Sequence, residues 1–217
     1  MALLLVVINT HSHLADAKTE ILRGISVGGT YSFYTSQLGH ALNSRGGYGI
    51  EFELTPFTFL LEYLTWHRFN LLRHLEVPIG FQAGLARATP LARIVMNNKM
   101  VTLDQELAGI GNVYLGFRYH IWLSPRFSIY PMLAWNISGL WFGKTIDNKH
   151  GTDWYSGLLA GGGVNALIKE WDRFLHFGLR LDAIFRLHRL GNEQNSLKGD
   201  SITVGLWTYF IFRSEKF

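Results

Sequence analysis

Between Asn112 and Leu123 apolar and mixed positions alternate without a break. Val113, Leu115, Phe117, Tyr119, Ile121 and Leu123 are apolar, with Asn112, Tyr114, Gly116, Arg118, His120 and Trp122 between them. Side chains of an extended chain point alternately to opposite faces, so a period of two predicts a strand with one apolar face and one mixed face. The pattern recurs at short intervals over residues 25–34, 48–55, 57–66, 75–85, 112–123, 127–138, 154–168, 175–187 and 201–212, nine strands in all. Residues 154–168 are glycine-rich and less regular. Residues 86–111 are long for a structureless loop, and "PLARIVMNNKMV" within them has room for a tenth strand.

An all-β, closed, antiparallel up-and-down barrel follows, with ten strands favoured because such barrels normally hold an even number, and eight as the alternative. Connections near 56, 124–126 and 169–173 are short, whereas those near 35–47, 139–153 and 188–200 are long. Short turns on one rim and long loops on the other describe a transmembrane barrel of the outer membrane, with the short side periplasmic. No linker or charge run divides the chain, so residues 18–217 form a single barrel domain. Residues 1–17 are expected to be a signal peptide: an apolar stretch from Ala2 to Ile8 leads to Ala15-Asp16-Ala17, a small-x-small cleavage site that leaves Lys18 first. A positive n-region is missing there, and a short buried strand over 3–8 is the competing reading.

A soluble ligand-holding barrel alternates too, with its apolar face inward. Glycine separates the two cases. Gly28, Gly49, Gly80, Gly84, Gly116, Gly178 and Gly205 all fall on the polar face. On a solvent-facing exterior they would weaken strands and cover nothing. Inside a narrow barrel they make room for Arg118, Arg180, Trp207 and Tyr209. Aromatic residues near strand ends (Tyr48, Trp66, Trp122, Phe127, Trp135, Trp154, Phe174) suit interfacial girdles. The apolar face is therefore expected to meet lipid.

Composition sharpens this picture in three ways. Of 217 residues 48% are hydrophobic, yet no apolar run approaches the roughly 18–20 residues that a membrane helix needs. A net charge of +4 without a Lys/Arg run gives no reason to expect nucleic acid. The absence of cysteine excludes disulfides and Cys-ligated metals and is compatible with an oxidising envelope compartment.

Three segments carry a family resemblance. "HLEVPIGFQAG" is similar to the strand often written LEIPL, "YLGFRYHIWLSPRFSIYPML" resembles a down-strand, proline turn and up-strand, and "SITVGLWTYFIF" resembles a C-terminal strand ending in an aromatic. All three resemble the small Gram-negative outer-membrane barrels grouped around the OmpA membrane domain, OmpX and OmpW. The resemblance implies recognition by the barrel-assembly machinery through Phe210, Phe212 or Phe217. Phe212 fits the terminal phase best, because "RSEKF" breaks the alternation before Phe217.

On this reading the polar face is the lumen. It carries Glu51, Glu53 and Glu76 in the first half of the chain and Arg118, His120, His176, Arg180, Asp182 and Arg186 in the second. Opposite charges on facing walls should pair, since an unpaired buried charge is costly. The pairs would plug the barrel, or form a narrow gate that opens when they part. None of the nine histidines has the spacing of a compact ligand set, so neither metal nor cofactor is expected. A lipid deacylase would bring together Ser, His and an acid. The His-x-Ser pattern of such enzymes is absent from the barrel strands, and His11-Ser12-His13 in the leader does not supply it. Asp147, His150 and Asp153 share one loop, as a surface protease would require, but such a cluster is ordinarily a solvated loop. No residue is expected to be catalytic. The expected role is an outer-membrane channel passing small solutes, or hydrophobic molecules as in the OmpW group. The alternatives are a host-facing surface protein acting through its loops and, third, a membrane enzyme. Expected partners are outer-membrane lipids, the assembly machinery, and small solutes or host surface ligands.

Overall fold

A strand with one apolar and one polar face leaves backbone groups open on both edges, and closing the sheet on itself satisfies them all. The computed structural model describes residues 24–42, 46–56, 74–89, 91, 93–96, 99–102, 107–144, 150–170, 175–188 and 199–212 and forms such a sheet. Its strands are β1 (Gly24–Tyr34), β2 (Gly47–Leu54), β3 (Leu75–Glu76), β4 (Ile79–Arg87), β5 (Arg93–Met96), β6 (Lys99–Thr102), β7 (Leu107–Tyr119), β8 (Ile121–Ser124), β9 (Phe127–Lys144), β10 (His150–Glu170), β11 (Leu175–His188) and β12 (Gly199–Phe212). One short helix, α1 (Ser36–Ala41), follows β1.

Pairing runs β1–β2–β4–β7–β9–β10–β11–β12 and back to β1, antiparallel throughout. β3 prolongs β4 along β7, and β8 prolongs β7 along β9. The wall therefore has eight strands, the smaller of the two expected counts. The stretch 86–111 does contain extra strands, but among the described residues β5 and β6 pair only with each other, outside the wall. Two asparagines separate them in sequence, the kind of short polar link that closes a hairpin. β2 pairs directly with β4, Leu54 opposite Ile79. Residues 57–66 lie outside the described ones. One further expectation needs correcting: β9 and β10 reach far into 139–153, leaving only 145–149 between them, while the glycine-rich 154–168 is a strand as expected and part of the longest one.

Both breaks in the wall coincide with proline. Glu76 pairs with Arg118 and Ile79 with Leu115, so Pro78 stands opposite Gly116; the Gly116 amide donates to the Pro78 carbonyl at 3.1 Å, and Pro78 has no N–H to return. The register of β7 and β8 against β9 likewise sets Pro131 opposite Tyr119, where β7 gives way to β8. The register is unchanged across both sites, so neither proline makes a bulge.

The apolar residues face out. In β7, Val113, Leu115 and Phe117 are exposed while Asn112, Tyr114, Gly116 and Arg118 are buried. The same inversion holds for Phe81 and Leu85 in β4, Leu133, Trp135 and Ile137 in β9, and Ile202, Val204 and Leu206 in β12. Tyr48 is the extreme case at 75% exposure. A soluble barrel buries this face; here the buried face is polar.

Inside, two layers are stacked along the axis. Near the long-loop rim, Leu38 and Ala41 of α1 and Leu42 just after it occur at helical spacing and pack with Tyr34, Ala86, Ala108, Ile110 and Leu140. α1 lies across this mouth, with the Leu42 amide donating to Leu38 O and the Thr89 amide to Ala41 O. Below it the interior is aromatic and charged. An eight-stranded barrel is just wide enough for its own side chains to fill.

Candidate functional site in the barrel interior

Glu53 sits near the end of β2, pointing inward, two residues from Glu51 on the same face. Arg118 approaches it from β7, donating from its two terminal nitrogens to Glu53 Oε1 at 3.0 Å and Oε2 at 2.6 Å. Arg180 approaches from β11, donating at 2.5 Å to Oε1 and 3.3 Å to Oε2. Ser26 on β1 adds a hydrogen bond to Oε1 at 3.2 Å. One carboxylate thus ties β1, β2, β7 and β11 together across the lumen. The Tyr114 hydroxyl stands 2.6 Å from both Glu51 Oε1 and Glu53 Oε2, so its single proton bridges two acids and serves one at a time.

Arg118 extends the network towards the short-turn rim, donating to Glu76 Oε2 at 2.7 Å. His120 Nε2 is 3.1 Å from the same oxygen, and its Nδ1 is 3.0 Å from Ser128 Oγ. The neighbouring carboxylate favours the Nε2–H tautomer, which leaves Nδ1 to accept from the serine hydroxyl. Both guanidiniums also cover aromatic faces, Arg118 over Tyr130 and Arg180 over Trp207, each 4.8 Å from the ring centre.

Glycines opposite these rings make the packing feasible. Gly80 pairs with Tyr114, Gly178 with Tyr209 and Gly28 with Trp207, and at each position an added Cβ would land on the facing ring. Gly205 lies under the same indole. Gly116 differs: a methyl there would strike Ala134 Cβ and the Leu133 carbonyl, so it accommodates the adjacent strand rather than Arg118.

Glu51, Glu53, Glu76, Arg118, His120, Arg180 and Asp182 are therefore all buried in one interior. His176 and Arg186 occupy β11 positions in phase with Arg180, but their side chains lie outside those described, as do that of Phe212 and the whole of Phe217. Phe210 meets Phe177 on β11, ring centres 5.5 Å apart. Residues 1–23, and with them the leader and its cleavage site, are outside the described residues, as is Asp147. Sequence reasoning missed Tyr114, Ser128 and Tyr130. All three lie on the inward phase, and that phase was the signal available for them.

Ser128, His120 and Glu76 stand in the hydrogen-bonding order of a nucleophile, a base and an orienting acid. Chemistry would require Ser128 Oγ to touch a substrate, whereas Ser128 is fully buried and Glu76 is also bound to Arg118. In this arrangement the three close a hydrogen-bond chain. Among the described residues no three His, Cys, Asp or Glu side chains are grouped to hold a metal.

No protein-family profile and no curated protein matches the chain. Solved structures do. Neisserial surface protein A aligns with a TM-score of 0.55 at 9% identity, covering 87% of this chain and 96% of that one. Ail, the attachment invasion locus protein of Yersinia pestis, gives 0.47 at 12% identity over 88% and 99%. The N-terminal barrel domain of Pseudomonas aeruginosa OprF gives 0.42 at 10% over 87% and 98%. The first of these likenesses establishes the fold: the chain shares the closed antiparallel β-barrel of that protein.

Proposed function

We propose that this chain is an integral barrel of the outer membrane, without enzymatic activity, whose lumen is closed by its own side chains. Its part is to hold surface loops at the cell exterior. The exposed apolar wall supports lipid contact, because residues such as Leu115, Phe117, Leu133 and Ile50 present most of their apolar surface outward. The observation that carries the closed reading is the double clamp on Glu53, with Trp207 and Tyr114 filling the space around it. A buried side chain held by two bidentate partners is not free to swing aside for a solute.

The channel reading keeps one support, the polar lining itself. Planar-bilayer recording of the refolded protein separates the two. The closed reading expects an electrically silent wild type, with current appearing once Arg118→Ala and Arg180→Ala are combined. Steady wild-type conductance would sink it in favour of passage. For a chain with no membrane affinity, full solubility without detergent is the telling result, and it would overturn the whole reading.

A further inference from the structure

Tyr130, Gly163 and Asp182 form one cross-strand row. Gly163 on β10 pairs with Tyr130 of β9 on one side and with Asp182 of β11 on the other. Gly163 has no side chain, so Tyr130 Oη, Asp182 Oδ1 and the Leu181 carbonyl converge above it. An added Cβ would stand 2.7 Å from Tyr130 Oη and closer still to Asp182 Oδ1. Asp182 pairs on its other side with Gly205, so glycine borders the carboxylate on both adjacent strands.

The oxygens in this row lack hydrogen-bond partners, and Asp182 Oδ2 has only an ion pair to Arg180 Nε. Tyr130 Oη, both Asp182 carboxylate oxygens and Asn165 Oδ1, one inward step along β10 from Gly163, are buried with no hydrogen bond from the protein. Buried polar atoms are seldom left so, and several together point to a ligand. The charge balance indicates its sign. Among the described buried residues, four carboxylates (Glu51, Glu53, Glu76, Asp182) face two guanidiniums, with His120 the remaining ionisable base. Arg180 Nε lies 3.1 Å from Asp182 Oδ2, but its terminal nitrogens are committed to Glu53. Asp182 thus has far less compensation than Glu53. An all-oxygen donor set suits a hard cation, and one carboxylate is too little charge for a dehydrated divalent ion.

We infer that the barrel interior binds a monovalent cation of sodium or potassium type above Gly163, held by Asp182 and Tyr130 Oη with Asn165 Oδ1. The ion completes its shell with water and offsets the surplus negative charge of the lumen. This site does not depend on whether the lumen conducts.

The test uses the full chain refolded in zwitterionic detergent, unfolded in sodium, potassium or choline chloride at equal ionic strength. The unfolding midpoint is expected to be higher in sodium or potassium than in choline, and wild-type protein should broaden the sodium-23 resonance. Both effects are expected to vanish in Asp182→Asn and to shrink in Tyr130→Phe, which carries the comparison alone if the first variant does not refold. Equal midpoints in all three salts without broadening would overturn the inference, and the surplus charge would then be held by a proton on Asp182. A cation effect that survives Asp182→Asn, or stays at full size in Tyr130→Phe, overturns it equally.

Discussion

Arg118 is 1% exposed and bonded to two carboxylates from different strands. Truncating one partner of a buried ion pair strands the other, at a cost of about 3–5 kcal/mol. Arg118→Ala should therefore lower the unfolding free energy by that order, read from urea titration in detergent. Arg118→Lys should recover only part, because an ammonium cannot reproduce the fork that spans Glu53 and Glu76. Gly80 tests packing in place of charge. Gly80→Ala forces a methyl onto the Tyr114 ring and should cost about 1–3 kcal/mol, with a smaller penalty when Tyr114→Ala is added. At this scale the charged lining was legible, since ionic residues on a polar face have to pair. Tyr114, Ser128 and Tyr130 were not, because uncharged residues in phase with a lumen look like ordinary filling until their partners are known.

Among the elements, the strands themselves were the most legible, because a period of two imposed by extended geometry is visible in sequence. Their number was less so. A hairpin such as β5–β6 has the same local pattern as a wall strand, and only its pairing places it outside the barrel. Local pattern also ends a strand where alternation fades, whereas β9 and β10 continue through 139–144 and 150–153 because each has the other to pair with. α1 gave little signal: six residues are too few for periodicity to stand out, and the helix exists by packing Leu38, Ala41 and Leu42 into the mouth. Leu42 is fully buried there, so Leu42→Ala should cost about 2–5 kcal/mol, with proteolysis of the first loop as a second readout. Unchanged stability and protease resistance would mean that the helix does not seal the rim.

For the whole molecule, the inverted distribution of polarity is the property that sets behaviour in solution. The folded protein should need detergent or lipid, should give a β-rich circular dichroism spectrum, and should migrate differently in gels before and after heating. A protein that refolds in plain buffer with a single sedimenting species would contradict the lipid-facing wall. The double-clamped Glu53 gives the assembled barrel a second property. It joins strands from both halves of the chain, so its bonds can mature only when the wall is nearly complete.

The pairing of β1 with β12 sets Gly24 opposite Ile211 and Ile25 opposite Phe210, bringing the first and last described strands together. Every other seam in the wall can form as soon as two nearby strands exist, but this one has to wait for the last to be delivered. Until then two unpaired edges face their surroundings, and within hydrocarbon open backbone groups are heavily penalised. Contacts between such distant partners also slow the search for the native state. Assembly should therefore proceed as a single late event, and a chain ending before residue 199 should be cleared or aggregate without ever forming a smaller stable barrel.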